Sequence, residues 1–87
     1  MQFMVIERFK GGNPKPVYER FAAKGRMLPA GVEYDSSWIT EDGATCYQVM
    51  QADDPGQLQD WIERWSDLVD FEVIPVIGSA EAAARFR

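Results

Sequence analysis

Two segments of the chain are apolar on both sides of an extended backbone. In Gln2–Phe9, Phe3, Val5 and Phe9 alternate with Met4 and Ile6, and in 71–77, Phe71 and Val73 alternate with Ile74 and Val76. Both are expected to be strands. Between them, Asn13-Pro14 offers an N-cap and a first helical residue. Val17, Tyr18 and Phe21 follow at helical spacing, and Gly25 is a natural stop. Segments 32–41 and 44–52 are two more predicted strands, joined by Asp42-Gly43, the residues of a two-residue type I′ hairpin turn. A second helix opens at Asp54-Pro55 and is expected to run to about Leu68. Its stripe of Leu58, Trp61, Ile62, Trp65, Leu68 and Val69 lies opposite Asp60, Glu63, Arg64 and Asp67. Asp60 and Arg64 are spaced for an i,i+4 pair. Ser79 is placed to cap a short Ala-rich tail helix with Glu81 in its first turn.

The order β-α-β-β-α-β plus a C-terminal helix predicts an α+β, ferredoxin-like fold with a four-stranded antiparallel sheet, in a single domain over 1–87. NPKPVYERF and DPGQLQDWI form a weak internal repeat, aligning Val17 with Leu58 and Phe21 with Ile62. Pro75 fits an edge strand. Two helices cover only one face of such a sheet, and the first and last strands would leave apolar side chains on the other. A second copy packed sheet to sheet, giving a homodimeric α/β barrel, is the expected remedy. The alternative is that the C-terminal tail folds across this face.

The hairpin sets a register in which Glu41 faces Ala44, Ile39 faces Cys46, Ser37 faces Gln48 and Asp35 faces Met50. One face then carries Tyr34, Ser36, Trp38, Tyr47 and Val49, suited to packing beneath helices. The other carries Gln48 in mid-strand, and an apolar helix layer could not satisfy its amide. Asp35, Ser37, Cys46 and Gln48 are therefore placed on the inter-subunit face as candidate cavity residues. The plainer reading is that Ser37 and Gln48 only bond each other or their dimer mates, that Cys46 is an inert small residue, and that Trp38 and Tyr47 are a cross-strand pair.

With 9 basic and 14 acidic residues the net charge is −5, which disfavours nucleic acid and anionic membrane surfaces. No apolar run is long enough to span a bilayer, and the N-terminus lacks the marks of a signal peptide. A lone cysteine fits a cytoplasmic setting. The absence of histidine removes the usual base and metal ligand, so neither a metal nor another cofactor is expected. Asp54-Pro55-Gly56 resembles a ligand-site tripeptide, but each residue is accounted for as a helix start, with Gln57 reaching back as in a capping box.

The stretches MQFMVIERFKGG, CYQVMQADDP and WSDLVDFEVIPV resemble a family of short bacterial proteins known only as a domain of unknown function. The resemblance covers nearly the whole chain and implies membership of the wider dimeric α/β-barrel class. That class holds antibiotic-biosynthesis-type monooxygenases, muconolactone-isomerase-like enzymes, haem-degrading enzymes and stress-response proteins. It implies fold and dimer, and carries over no functional residue. The function expected first is binding of a small, largely apolar molecule in the barrel, oriented by Asp35, Ser37 and Gln48. The second is a cofactor-free monooxygenase or isomerase with Asp35 or Glu7 as base, its pKa raised by burial. The third is a structural or interaction module with a filled barrel.

Overall fold

A computed structural model describes residues 1–87. Strands β1 (Gln2–Phe9), β2 (Val32–Ile39), β3 (Thr45–Ala52) and β4 (Val69–Val76) form one antiparallel sheet in the order β2-β3-β1-β4. Helices α1 (Lys15–Lys24) and α2 (Pro55–Glu63) make the two crossovers, and α3 (Ser79–Arg85) follows β4. This is the ferredoxin-like βαββαβ order. Pro75 lies on the edge strand β4, opposite Phe3, where a missing N–H costs no central ladder bond.

Local chemistry explains where the elements begin and end. Asn13 Oδ1 accepts from the Lys15 N–H at 3.1 Å, and Asp54 Oδ1 from the Gly56 N–H at 2.8 Å. Each carboxyl or amide thus satisfies a donor that the first helical turn leaves open. Gln57 does not reach back to complete a capping box; its side chain lies over Gly31, whose φ of +85° and missing Cβ leave room for it. Gly25 ends α1 with φ 68° and ψ −158°.

The second helix is shorter than its apolar stripe. The backbone leaves the α-helix after Glu63 and continues through tight turns, with Trp65 N–H on Ile62 O and Leu68 N–H on Trp65 O, both at 3.0 Å. Arg64 does not pair with Asp60; it donates to Met27 O at 2.6 Å. On α3, Gly78 occupies the N-cap position with no side-chain cap from Ser79.

The core lies between the sheet and α2. Phe3, Val5, Phe9, Val32, Met50, Ala52 and Val69 face Leu58, Trp61 and Trp65, and Trp61 meets Phe71 edge-on with centroids 5.5 Å apart. From α1 only Val17 joins this core.

The central hairpin holds the expected pairs Ile39–Cys46, Trp38–Tyr47 and Ser37–Gln48, but closes differently. Thr40 and Thr45 form the last pair, and Asp42 Oδ1 accepts from Thr40 Oγ1 (2.6 Å) and the Ala44 N–H (2.9 Å) inside a four-residue loop. Only Gly43 has positive φ, so the turn is not type I′, which needs two such residues. A bulge between Tyr34 and Ser36 then sets Tyr34, not Asp35, opposite Met50.

The faces are the reverse of the sequence expectation. Ser37, Cys46, Gln48 and Met50 lie under the helices, and Ser36, Trp38, Tyr47 and Val49 lie on the open face. Phe3, Val5 and Met50 share a side with the first set, and their burial decides which side the helices cover. The tail helix does not fold across the open face: α3 buries no residue, and Trp38 stays 64% exposed. No helix is long and apolar enough to cross a membrane.

Candidate functional site

Two cross-strand rows make the floor of a cavity under α1. One row runs Ile39–Cys46–Glu7–Phe71, the next Ser37–Gln48–Val5–Val73. Where other rows offer large apolar side chains to the helix layer, these offer a thiol, a carboxyl, a hydroxyl and an amide. They do not fill the space beneath α1, and a cavity of about 230 Å³ remains, roofed by Val17, Tyr18 and Phe21 and walled by Phe9, Trp61 and Trp65. Arg26, just past the end of α1, also lines it.

The buried polar groups are sparsely satisfied. Gln48 is 4% exposed and its Nε2 donates only to the thioether of Met50, 3.0 Å away, a weak acceptor. Ser37 faces Gln48 in register but shares its hydroxyl hydrogen bond with Tyr34 at 2.7 Å. Glu7 is 8% exposed and belongs to none of the chain's ion pairs. Burial pushes its carboxyl up to about 7, a shift that the Arg26 charge partly opposes. The Cys46 thiol is pushed up to about 11, by burial first and by Glu7 second, so it is a protonated thiol at neutral pH and not a nucleophile. The Tyr18 hydroxyl is also raised, by burial and then by Cys46 and Glu7.

Of the candidate residues read from the sequence, Ser37, Cys46 and Gln48 come together here, between sheet and helices rather than between subunits. Asp35 does not join them. The bulge turns it to the open face, exposed, with Gln2 and Gln51 Nε2 each 3.4 Å from its Oδ2. Ser37 and Gln48 do not bond each other. Glu7 does reach the cavity, whereas Arg26 sits in a loop that no periodicity marks. No three His, Cys, Asp or Glu side chains converge as a metal site. A larger groove, about 720 Å³, lies between α3 and the ends of β1 and β4, but its charges Glu81 and Arg85 pair with each other at 2.9 Å.

A ferredoxin-like α+β domain with a largely apolar pocket, polar at its floor, under its first crossover helix is the class of protein that fold and site define. Residues 1–87 match the family described as Domain of unknown function (DUF3303), and the chain belongs to that family. No curated protein and no solved structure matches the chain.

Proposed function

We propose that the protein is a homodimer that binds one small, largely apolar molecule per chain in the cavity between α1, α2 and the sheet. The observation that carries this reading is the pair Glu7 and Gln48. Both are buried beside an aromatic-lined cavity, and neither has a strong partner within the chain. Their unbonded polar atoms are not sealed in the core, where only Gln57 Oε1 is left without a partner, but open onto the cavity. A ligand's polar end would satisfy them while its body packs against Phe21, Trp61 and Trp65, the pattern of small-molecule sites generally. Ser37 and Cys46 complete the polar floor. The cytoplasm suits the single, buried, unpaired Cys46.

Dimerisation uses the open face, so each chain keeps its own complete cavity on the outer, helix-covered side. The test of binding is a thermal-shift screen with hydrophobic phenols and quinones, expected to raise the melting temperature of the wild type and not of Gln48→Leu. Equal shifts in both proteins, or none in either, would remove the proposal.

A second reading is favoured by Glu7 alone. A carboxyl that titrates near 7 inside an apolar cavity is matched to general acid–base work at neutral pH. A cofactor-free monooxygenase or isomerase would therefore use Glu7, not Asp35, as its base. Turnover that survives Glu7→Gln excludes this.

A further inference from the structure

Arg26 is the one arginine facing the cavity, and its guanidinium has no acceptor. Arg8, Arg20 and Arg85 are ion-paired with Glu72, Asp67 and Glu81, and Arg64 donates to a backbone carbonyl. The Arg26 guanidinium carbon instead lies 3.5 Å from the centroid of the Tyr34 ring and 5.1 Å from that of Phe21. It is half-buried, and Glu7 is not within ion-pair distance. A guanidinium stacked on a ring leaves its edge free, and that edge is a planar fork of N–H donors that matches a carboxylate.

The backbone beneath it is held in place. Both indoles, Trp61 Nε1 and Trp65 Nε1, donate to Arg26 O at 2.9 and 3.0 Å. The next residue, Met27, has φ 58°, the chain's only non-glycine residue in the left-handed region, and its carbonyl accepts from Arg64. Such a conformation costs free energy and persists where its surroundings over-determine it, most often at functional sites. Here three side-chain donors pin two consecutive carbonyls, and the result is a fixed origin for the Arg26 side chain.

We propose that the ligand of this cavity is a small monocarboxylate with a flat apolar body, and that Arg26 is the residue that recognises its carboxylate. The inference rests on the binding reading above and narrows it from any small, largely apolar molecule to an anionic one. Size agrees. A dry cavity of roughly 150 Å³ takes up benzene, so about 230 Å³ accommodates one aromatic ring and a short acid side chain. The ring would lie among Phe21, Trp61 and Trp65.

The experiment compares phenylacetate and 3-phenylpropionate with their neutral amides, by calorimetry and thermal shift, on the full chain. In the wild type the carboxylates are expected to bind at least about ten-fold more tightly than the amides, as a charge-assisted fork implies. Arg26→Gln should erase that gap, and Arg26→Lys should retain only part of it. Because the wild-type comparison needs no variant, a folding defect in either variant leaves the test intact. Amides that bind as tightly as the acids, or a gap that survives Arg26→Gln, overturn the role of Arg26 but leave the cavity a binding site. If neither acids nor amides bind, the binding reading fails and this inference fails with it.

Discussion

Glu7 stands in one cross-strand row between Cys46 and Phe71, so neither neighbour offers its carboxylate a strong donor. Its titration therefore belongs to the stability of the fold. The folded state holds the proton up to about pH 7, whereas an ordinary glutamate releases it near 4.5. Below 4.5 both states are protonated and the group is silent. Between 4.5 and about 7 only the unfolded chain loses the proton, so stability falls as pH rises; above 7 the full cost is present, on the order of 3 kcal/mol. Glu7→Gln, which mimics the protonated acid, should abolish this slope and stabilise the protein at pH 8 by up to about 3 kcal/mol, with little effect at pH 4. Urea unfolding of both proteins across pH 4–9 measures it, and parallel curves would refute the assignment. Asp42 and Asp67, whose carboxyls are held low by Thr40 and Arg20, act only below this window. At this scale much of the site is legible in the sequence. The pairing of Ser37 with Gln48 and of Ile39 with Cys46 follows from hairpin register alone. Asp35 is misplaced because a bulge leaves no mark in the alternation of side chains. Arg26 is invisible because its role depends on a loop pinned by Trp61, Trp65 and Arg64, residues more than thirty positions away.

Helices α1 and α2 start from the same Asx-Pro device, and both starts are readable from the sequence. Their packing differs, because the sheet beneath α2 is apolar and the sheet beneath α1 is not. The face the helices would cover is unreadable, since the first strand is apolar on both sides and mid-strand Gln48 argues for the wrong one. The length of α2 is overestimated for a related reason: turns after Glu63 keep Trp65 and Leu68 in line with the helical stripe, so periodicity outlasts the helix. The exit from α1 is the element on which the cavity most depends. Gly25 has φ 68° and ψ −158°, a region essentially closed to residues with a Cβ, and it leads directly into Arg26. A Cβ built there meets nothing within 4 Å, so the cost of Gly25→Ala is backbone strain alone. The substitution should destabilise the protein by about 1–3 kcal/mol, read as a lower urea midpoint at unchanged slope. A loss below a few tenths of that would mean that the exit relaxes to another conformation and is not the fixed origin of the Arg26 side chain described above.

On the whole-molecule scale the sheet has one covered face and one open face, and the proposed dimer rests on the make-up of the open one. Its central rows run Trp38–Tyr47–Ile6–Glu72 and Ser36–Val49–Met4–Ile74. At one end Arg8 pairs with Glu72 at 3.1 Å, and at the other Asp35 sits with Gln2 and Gln51. An apolar centre with a polar rim is the anatomy of a protein–protein contact. Four strands of eight residues span roughly 19 by 26 Å at ordinary strand spacing and rise, about 500 Å² in projection. With side-chain relief, that is of the order of the roughly 800 Å² each partner contributes to a standard interface. Sedimentation at micromolar concentration should therefore give twice the 9.9 kDa chain mass. Met4 lies between Val49 and Ile74 at the centre of this face. A lysine there can extend its ammonium into water in a lone chain but is desolvated when a second sheet covers it. Met4→Lys should thus yield a folded monomer with an unchanged far-ultraviolet spectrum. Its cavity should still bind ligand, because each chain carries Glu7, Gln48 and Arg26 on its own covered side. A wild-type monomer, or a Met4→Lys protein that stays dimeric, would show that the open face does not hold the assembly. Binding lost together with the dimer would instead show that the second copy completes the pocket.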